Sequence, residues 1–430
     1  MASPYVAWIG ASVRLQEVGD PLLRSVKDGV QGPAHFSPSV LIIIIVKAVL
    51  ALVIVLLCTA LMIWYERKFI ADMQNRIGPN RAGKWGLLQT LADGTKLFFK
   101  EALFPAKAEK TVFRLAPYIS ALPAFLTFCV IPLGGKVHIL GHDTYLQLAD
   151  PPMGVLFSLG VSSIAVYGIM LAGWSSGSKY PLMGSVRASA QMISYEAAMG
   201  LSLAAVILLT GSLSTQDIVG AQAGGFWHWN LVRTIAVPAI VFAIAGTAEI
   251  NRPPFDLVEA ESELVGGFNT EYSSARFAMF YLAEFMNTVT MSALIVTLFL
   301  GGPNFPFDVA VPFFGAVSPL WLVLKVFVLL SVYVGLRATL PRYRYDQLMD
   351  LGWKKLIPAS LIWLLILAAR EAGSTQGERV RNLLLAFAGS LVAAGLLWAA
   401  MRVGRQTADA EFAESSAAAA AASVGRPGRF

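Results

Sequence analysis

Long apolar runs alternate with short polar connections along this chain. They predict membrane-crossing helices at about 40–65, 115–133, 153–174, 188–210, 231–250, 277–300, 316–336, 354–371 and 383–401. A helix needs about 20 apolar residues to cross the roughly 30 Å hydrocarbon layer, and nearly every run approaches that length. The fold class this predicts is an all-α polytopic membrane protein of about nine transmembrane helices, with short amphipathic helices in the connections. Pro117, Pro123 and Pro132 are expected to bend the second span, and Lys47 to snorkel from the end of the first. The largest polar connection, Glu66–Arg114, places Leu88, Leu91, Thr95, Phe98 and Phe99 near one face of a surface helix over Trp85–Lys100. Residues 1–39 read as an extracytoplasmic segment with an interfacial helix and no basic leader. Residues 402–430 read as an alanine-rich, disordered tail.

Composition narrows the chemistry. With 430 residues, 56% hydrophobic and 14% charged, the chain does not fit a soluble enzyme. Its only cysteines, Cys58 and Cys129, fall in separate spans, which excludes an iron–sulfur cluster or a cysteine-rich zinc site held by this chain. The four histidines lie in connections, so haem ligation within the bundle is excluded too. The net charge of +6 has no clustered basic face of the kind nucleic acid requires. Placing the amino terminus outside and the carboxyl terminus in the cytoplasm puts about 23 of the 33 Lys and Arg on cytoplasmic segments.

The candidate chemistry is acidic. The stretch Gly246–Tyr272 carries Glu249, Asp256, Glu259, Glu261, Glu263 and Glu271 against a single Arg252. A carboxylate at a membrane edge is costly unless hydrated, paired or protonated, so the stretch points to proton handling or to a docking surface. Glu196 falls inside the fourth span, following Arg187, Gln191 and Tyr195 along nearly one face. Asp150 lies at the mouth of the third span. Arg337, Arg342 and Arg344 end the seventh and read as a topology anchor. From these residues alone, an ion translocator and a subunit receiving a substrate at its cytoplasmic edge both remain open.

Four longer motifs are specific: Tyr65–Glu101, Arg187–Glu196 (RASAQMISYE), Glu249–Ser274 (EINRPPFDLVEAESELVGGFNTEYSS) and Arg337–Met349 (RATLPRYRYDQLM). Over roughly residues 40–360 they closely resemble the membrane H subunit, also called the first subunit, of the proton-pumping NADH:quinone oxidoreductase, respiratory complex I. The resemblance implies a translocase subunit of the bacterial inner membrane that anchors the hydrophilic arm, forms the quinone-access chamber and helps couple quinone reduction to proton transport. It implies quinone as substrate, no cofactor bound by this chain, and FMN and iron–sulfur clusters in partner subunits. Carried over by motif, Glu196, Glu249, Asp256, Glu259, Glu261, Glu263, Glu271 and Asp150 become proton-coupling candidates. Arg67, Arg76, Arg81, Lys96, Arg252 and Arg337 become chamber or docking candidates. Val258 and Thr90 stand where the family commonly has proline. The alternatives are a secondary H⁺ or Na⁺ antiporter, against which the absence of inverted repeats speaks, and a purely structural anchor.

Overall fold

The structure, a computed structural model, describes residues 38–139, 142–257, 265–306 and 318–372, with positions 377, 381 and 389. The chain divides into two compact units, Met1–Leu361 and Ile362–Phe430. Seven described helices are long and apolar enough to cross a membrane, and an eighth apolar helix is shorter. The expected ninth span apart from position 389, the amino-terminal segment up to residue 37 and the tail lie outside the described residues.

Two helices outrun the bilayer, and both overruns matter for the site. Helix α1 (Pro38–Met73) has 36 residues. At about 1.5 Å per residue it is about 54 Å long, so its last turns project well past a 30 Å layer. Glu66–Met73, read from sequence as the start of a connection, is therefore helix and carries Glu66 and Arg67 out on a rigid stem. A short helix α2 (Gln89–Phe99) follows. Its apolar residues remain uncovered, Leu91 at 66%, Phe98 at 77% and Phe99 at 92% exposure.

Helix α3 (Lys110–Phe128) contains Pro117 and Pro123. After it comes an element the all-α expectation missed, an antiparallel hairpin of β1 (Lys136–Ile139) and β2 (His142–Tyr145). Lys47 does not snorkel: its Nζ donates to Thr144 Oγ1 at 2.9 Å and ties α1 to that hairpin. Helix α4 (Gly154–Ser175) packs closely on α3. A Cβ at Gly168 would come within 2.7 Å of Ser120 N, so only glycine permits that approach.

Helix α5 (Lys179–Thr210) begins nine residues before the expected Ala188, so Arg187 stands on the helix. After α6 (Thr215–Ala221) and the one-turn α7 (Asn230–Arg233), the expected fifth span breaks. Ile235 and Ala236 take left-handed backbone at φ 56° and 60°, just ahead of Pro238. Helix α8 therefore covers only Val237–Glu249, 13 residues. At roughly 20 Å it is too short to cross alone.

Helix α9 (Ser274–Phe299) is the central one. Its apolar window is 83% buried, against 17% for α1. It is rich in small, hydroxyl-bearing residues whose oxygens are satisfied within the helix: Thr288, Ser292 and Thr297 donate to carbonyls four residues back. Tyr195, Phe242, Leu298 and Phe299 join α5, α8 and α9 in one core cluster. Met62, Phe285 and Val334 join α1 and α9 to α10 (Ser318–Thr339) in another. The last described run is α11 (Tyr345–Leu351), a π-helical turn at Gly352–Leu356 and α12 (Ile357–Glu371).

Candidate functional site

The site is built on the loop Asn251–Leu257, which α8 delivers into the protein interior. Asn251 takes φ 52°, and the two prolines that follow, joined by a cis bond, cannot continue a helix. Neighbouring elements hold the loop. Gln191 on α5 donates through Nε2 to Ala248 O at 2.7 Å and Phe255 O at 2.9 Å. The Tyr343 N–H donates to Pro254 O at 3.0 Å, and the Tyr343 ring stacks on Phe255 at 5.5 Å. Arg342 Nη2 lies 3.2 Å from Asp256 Oδ2, a carboxylate that is 1% exposed. The arginine run after α10, expected to be a topology anchor, thus also clamps the acidic stretch.

This scaffold places Arg252 in a buried ionic network. Its Nη1 lies 2.5 Å from Glu66 Oε2 and its Nε 3.3 Å from Glu284 Oε1 on α9. The other Glu66 oxygen accepts from Arg337. The Arg252 guanidinium also lies 4.2 Å over the Phe285 ring. Two guanidiniums face two carboxylates, and this neutrality is what makes such burial tolerable. Burial disfavours the charged form of Arg252, but Glu66 and Glu284 outweigh it and hold the guanidinium pKa above its ordinary value.

The network separates two cavities. A cleft of about 420 Å³ opens where α1, α9 and α10 meet, with Glu66, Arg67, Arg76 and Arg337 on one part of its wall and Ile63, Ile70, Tyr281 and Phe285 on the other. An inner cavity of about 40 Å³ is lined by Glu249, Asn251, Asp256, Glu284 and Asn287. It has room for about two or three waters. Glu66 borders the cleft, Glu284 borders the inner cavity, and Arg252 is hydrogen-bonded to the first and ion-paired with the second. Beyond it, Glu249 is buried with Ser162 and Glu196 as electrostatic neighbours, and Glu196 accepts from Ser163. Arg187 does not face Glu196: its guanidinium lies 5.1 Å over the Tyr345 ring.

The sequence candidates separate accordingly. Glu249, Asp256 and Arg252 converge on the inner cavity and the network, with Glu196 adjacent. Arg67, Arg76 and Arg337 line the cleft. Arg67 is paired with Asp93 at 2.5 Å, and Arg76 donates to Gln74 at 2.7 Å. Arg81 and Lys96 are exposed and line neither cavity. Asp150 accepts from Ser214 at 2.9 Å near the start of α4, and Glu271 is half-buried just before α9. Glu259, Glu261 and Glu263 lie outside the described residues. Two central carboxylates are missing from the sequence candidates. Glu66 reads there as part of a connection, whereas Glu284 sits mid-span and meets the same criterion that singles out Glu196. Among the described residues no group of His, Cys, Asp or Glu has the arrangement of a metal site.

The profile of the family described as NADH dehydrogenase matches residues 46–368. A protein of Frankia alni, named as the H subunit of NADH-quinone oxidoreductase, is 53% identical over 329 residues, 76% of this chain and 72% of that one. Its namesake in Frankia casuarinae is 53% identical over 330 residues, with the same shares covered. The Streptomyces avermitilis protein of that name is 50% identical over 333 residues, again 76% and 72%.

Proposed function

The chain belongs to the NADH dehydrogenase family, among the membrane H subunits of NADH-quinone oxidoreductase, and from that membership we propose how its geometry serves quinone reduction. The cleft is the protein wall of the quinone-access chamber. Its apolar side, Ile63, Ile70, Tyr281 and Phe285, receives the isoprenoid-bearing ring, and Arg67, Arg76 and Arg337 face the head group. The chain supplies no redox centre. Flavin and iron–sulfur chemistry belongs to partner subunits that dock at the same end of the bundle, where α2 and its basic surroundings are exposed. This is a multi-pass protein of the bacterial inner membrane, with the cleft on the cytoplasmic side by the distribution of Lys and Arg.

One observation carries the coupling part of the reading, the ionic bridge Glu66–Arg252–Glu284 between chamber and inner cavity. Negative charge arriving on a reduced quinone in the cleft competes with Glu66 for Arg337 and Arg252. A weakened hold on Arg252 changes the field at Glu284, Glu249 and Glu196, which then exchange protons through waters in the cavity. Glu196, Glu249 and Asp256 are the acidic groups toward which this path leads. A free-standing antiporter would need no such cleft, and a structural anchor would need no bridge.

The test is Glu284→Gln in the assembled complex, which keeps the side-chain shape and removes the charge. FMN and iron–sulfur content should be unchanged, with NADH:quinone reductase activity and the proton-to-electron ratio in vesicles both lowered. Parental activity and stoichiometry together would reduce the bridge to a structural ion pair.

A further inference from the structure

A second cationic site lies away from the cleft, at the adjacent ends of α3 and α9. Arg276, in the first turn of α9, holds its guanidinium 3.8 Å over the Phe104 ring. Arg114 on α3 holds its own 5.2 Å from the same ring. Phe104 packs in turn on Phe113, which stacks on Tyr272 at 4.0 Å. Two like charges therefore share one aromatic platform at the positive end of a 26-residue helix. Arg276 Nη1 is buried and has no hydrogen-bond acceptor among the described residues. Two guanidiniums beside a helix N-terminus favour an anion.

The surroundings identify its kind. Leu115, Tyr118, Leu122 and Leu126 recur every three or four residues along α3, and each is at least 40% exposed. This apolar stripe starts beside Arg114 and runs along a helix long and apolar enough to cross a membrane. A cationic head joined to an apolar track of bilayer depth matches a molecule with a phosphate at one end and hydrocarbon at the other.

We propose that Arg114 and Arg276, on the Phe104 platform, bind the phosphate of an anionic phospholipid whose acyl chain lies along Leu115, Tyr118, Leu122 and Leu126. The site is independent of the quinone reading and uses none of its residues. The phosphate takes hydrogen bonds from both guanidiniums, which relieves their mutual repulsion and fixes the end of α3 against α9. A free phosphate would satisfy the head and leave the stripe unused, so the experiment has to separate the two sources.

The probe is a photoactivatable phosphatidylglycerol added to the purified, assembled complex in detergent. Labelling is expected in the Arg114–Leu126 segment, displaced by phosphatidylglycerol but not by phosphatidylcholine or millimolar inorganic phosphate. In Arg114→Gln/Arg276→Gln, neutralising two basic groups should weaken the competition constant by about 30-fold, at about one basic residue's worth per group. Arg114 is exposed, so Arg114→Gln alone keeps the test readable if the double variant does not assemble, with a loss of roughly fivefold. Equal displacement by inorganic phosphate overturns the lipid assignment. Equal displacement by phosphatidylcholine shows an apolar groove indifferent to charge and overturns it as well. Absence of label from this segment, as when a neighbouring subunit covers the arginines, also overturns it.

Discussion

Removing the charge of Glu66 should be among the most destabilising single changes in the described structure. In Glu66→Gln, Arg252, only 2% exposed, keeps Glu284 at 3.3 Å but loses its closer partner at 2.5 Å. At a charge separation of about 4 Å and an effective dielectric near 20, the lost attraction is about 4 kcal/mol. That agrees with the roughly 3–5 kcal/mol found when one partner of a buried pair is removed. Arg337 contributes less, because its side chain is 30% exposed and water can replace the carboxylate. The internal control is Asp93→Asn, which breaks the Arg67 pair, where the side chains are 42% and 36% exposed. Such a pair is worth about 0–1 kcal/mol. The assay is thermal loss of the assembled complex in detergent, followed on native gels together with flavin content. Glu66→Gln should lose assembly at clearly lower temperature than Asp93→Asn. Adding Arg252→Gln to it should recover part of the loss, because no buried cation short of its closer partner then remains. Equal melting of Glu66→Gln and Asp93→Asn would show that solvent reaches Arg252 and that its ion pairs contribute no more than a surface pair.

Four further outcomes follow from the same structure. Glu249→Gln and Glu196→Gln should each leave cofactor content intact while depressing quinone reduction and proton pumping together, and normal pumping in vesicles would remove them from the path. Lys325→Met should destabilise the protein by about 3 kcal/mol, because Lys325 Nζ donates to Leu300 O, Gly302 O and Asn304 O at 2.8, 2.9 and 2.7 Å; an unchanged melting temperature would refute this. Gly184→Ala should cost about 1–3 kcal/mol, since its Cβ would come 2.7 Å from Gly267 Cα, backbone that cannot swing aside, and a parental melting curve would contradict the packing of α5 on the Gly267–Asn269 turn. Lys47→Met should release the β-hairpin from α1, seen as increased proteolysis at 136–145 with quinone reductase activity retained.

The membrane class and the motifs that place the chain in its family are legible in the sequence. Hydrocarbon imposes a length and a hydrophobicity that a one-dimensional pattern records directly. The sequence also singled out Glu196, Glu249, Asp256 and Arg252, because ionisable groups at membrane depth stand out against apolar neighbours. Which of these groups meet is set by the packing of the helices. Glu66 and Arg252 are 186 residues apart and Glu66 and Arg337 are 271 apart, separations at which no periodicity carries information. The same holds for the break before α8. A run of apolar residues at 231–250 satisfies any hydropathy rule, yet left-handed backbone at Ile235 and Ala236 shortens the helix and sets Glu249 at its end. Composition reports how much hydrocarbon a segment offers. Where its chain turns, and which charge then lies opposite, is settled by the packing of distant helices, since a buried arginine is stable only where the fold brings carboxylates to it.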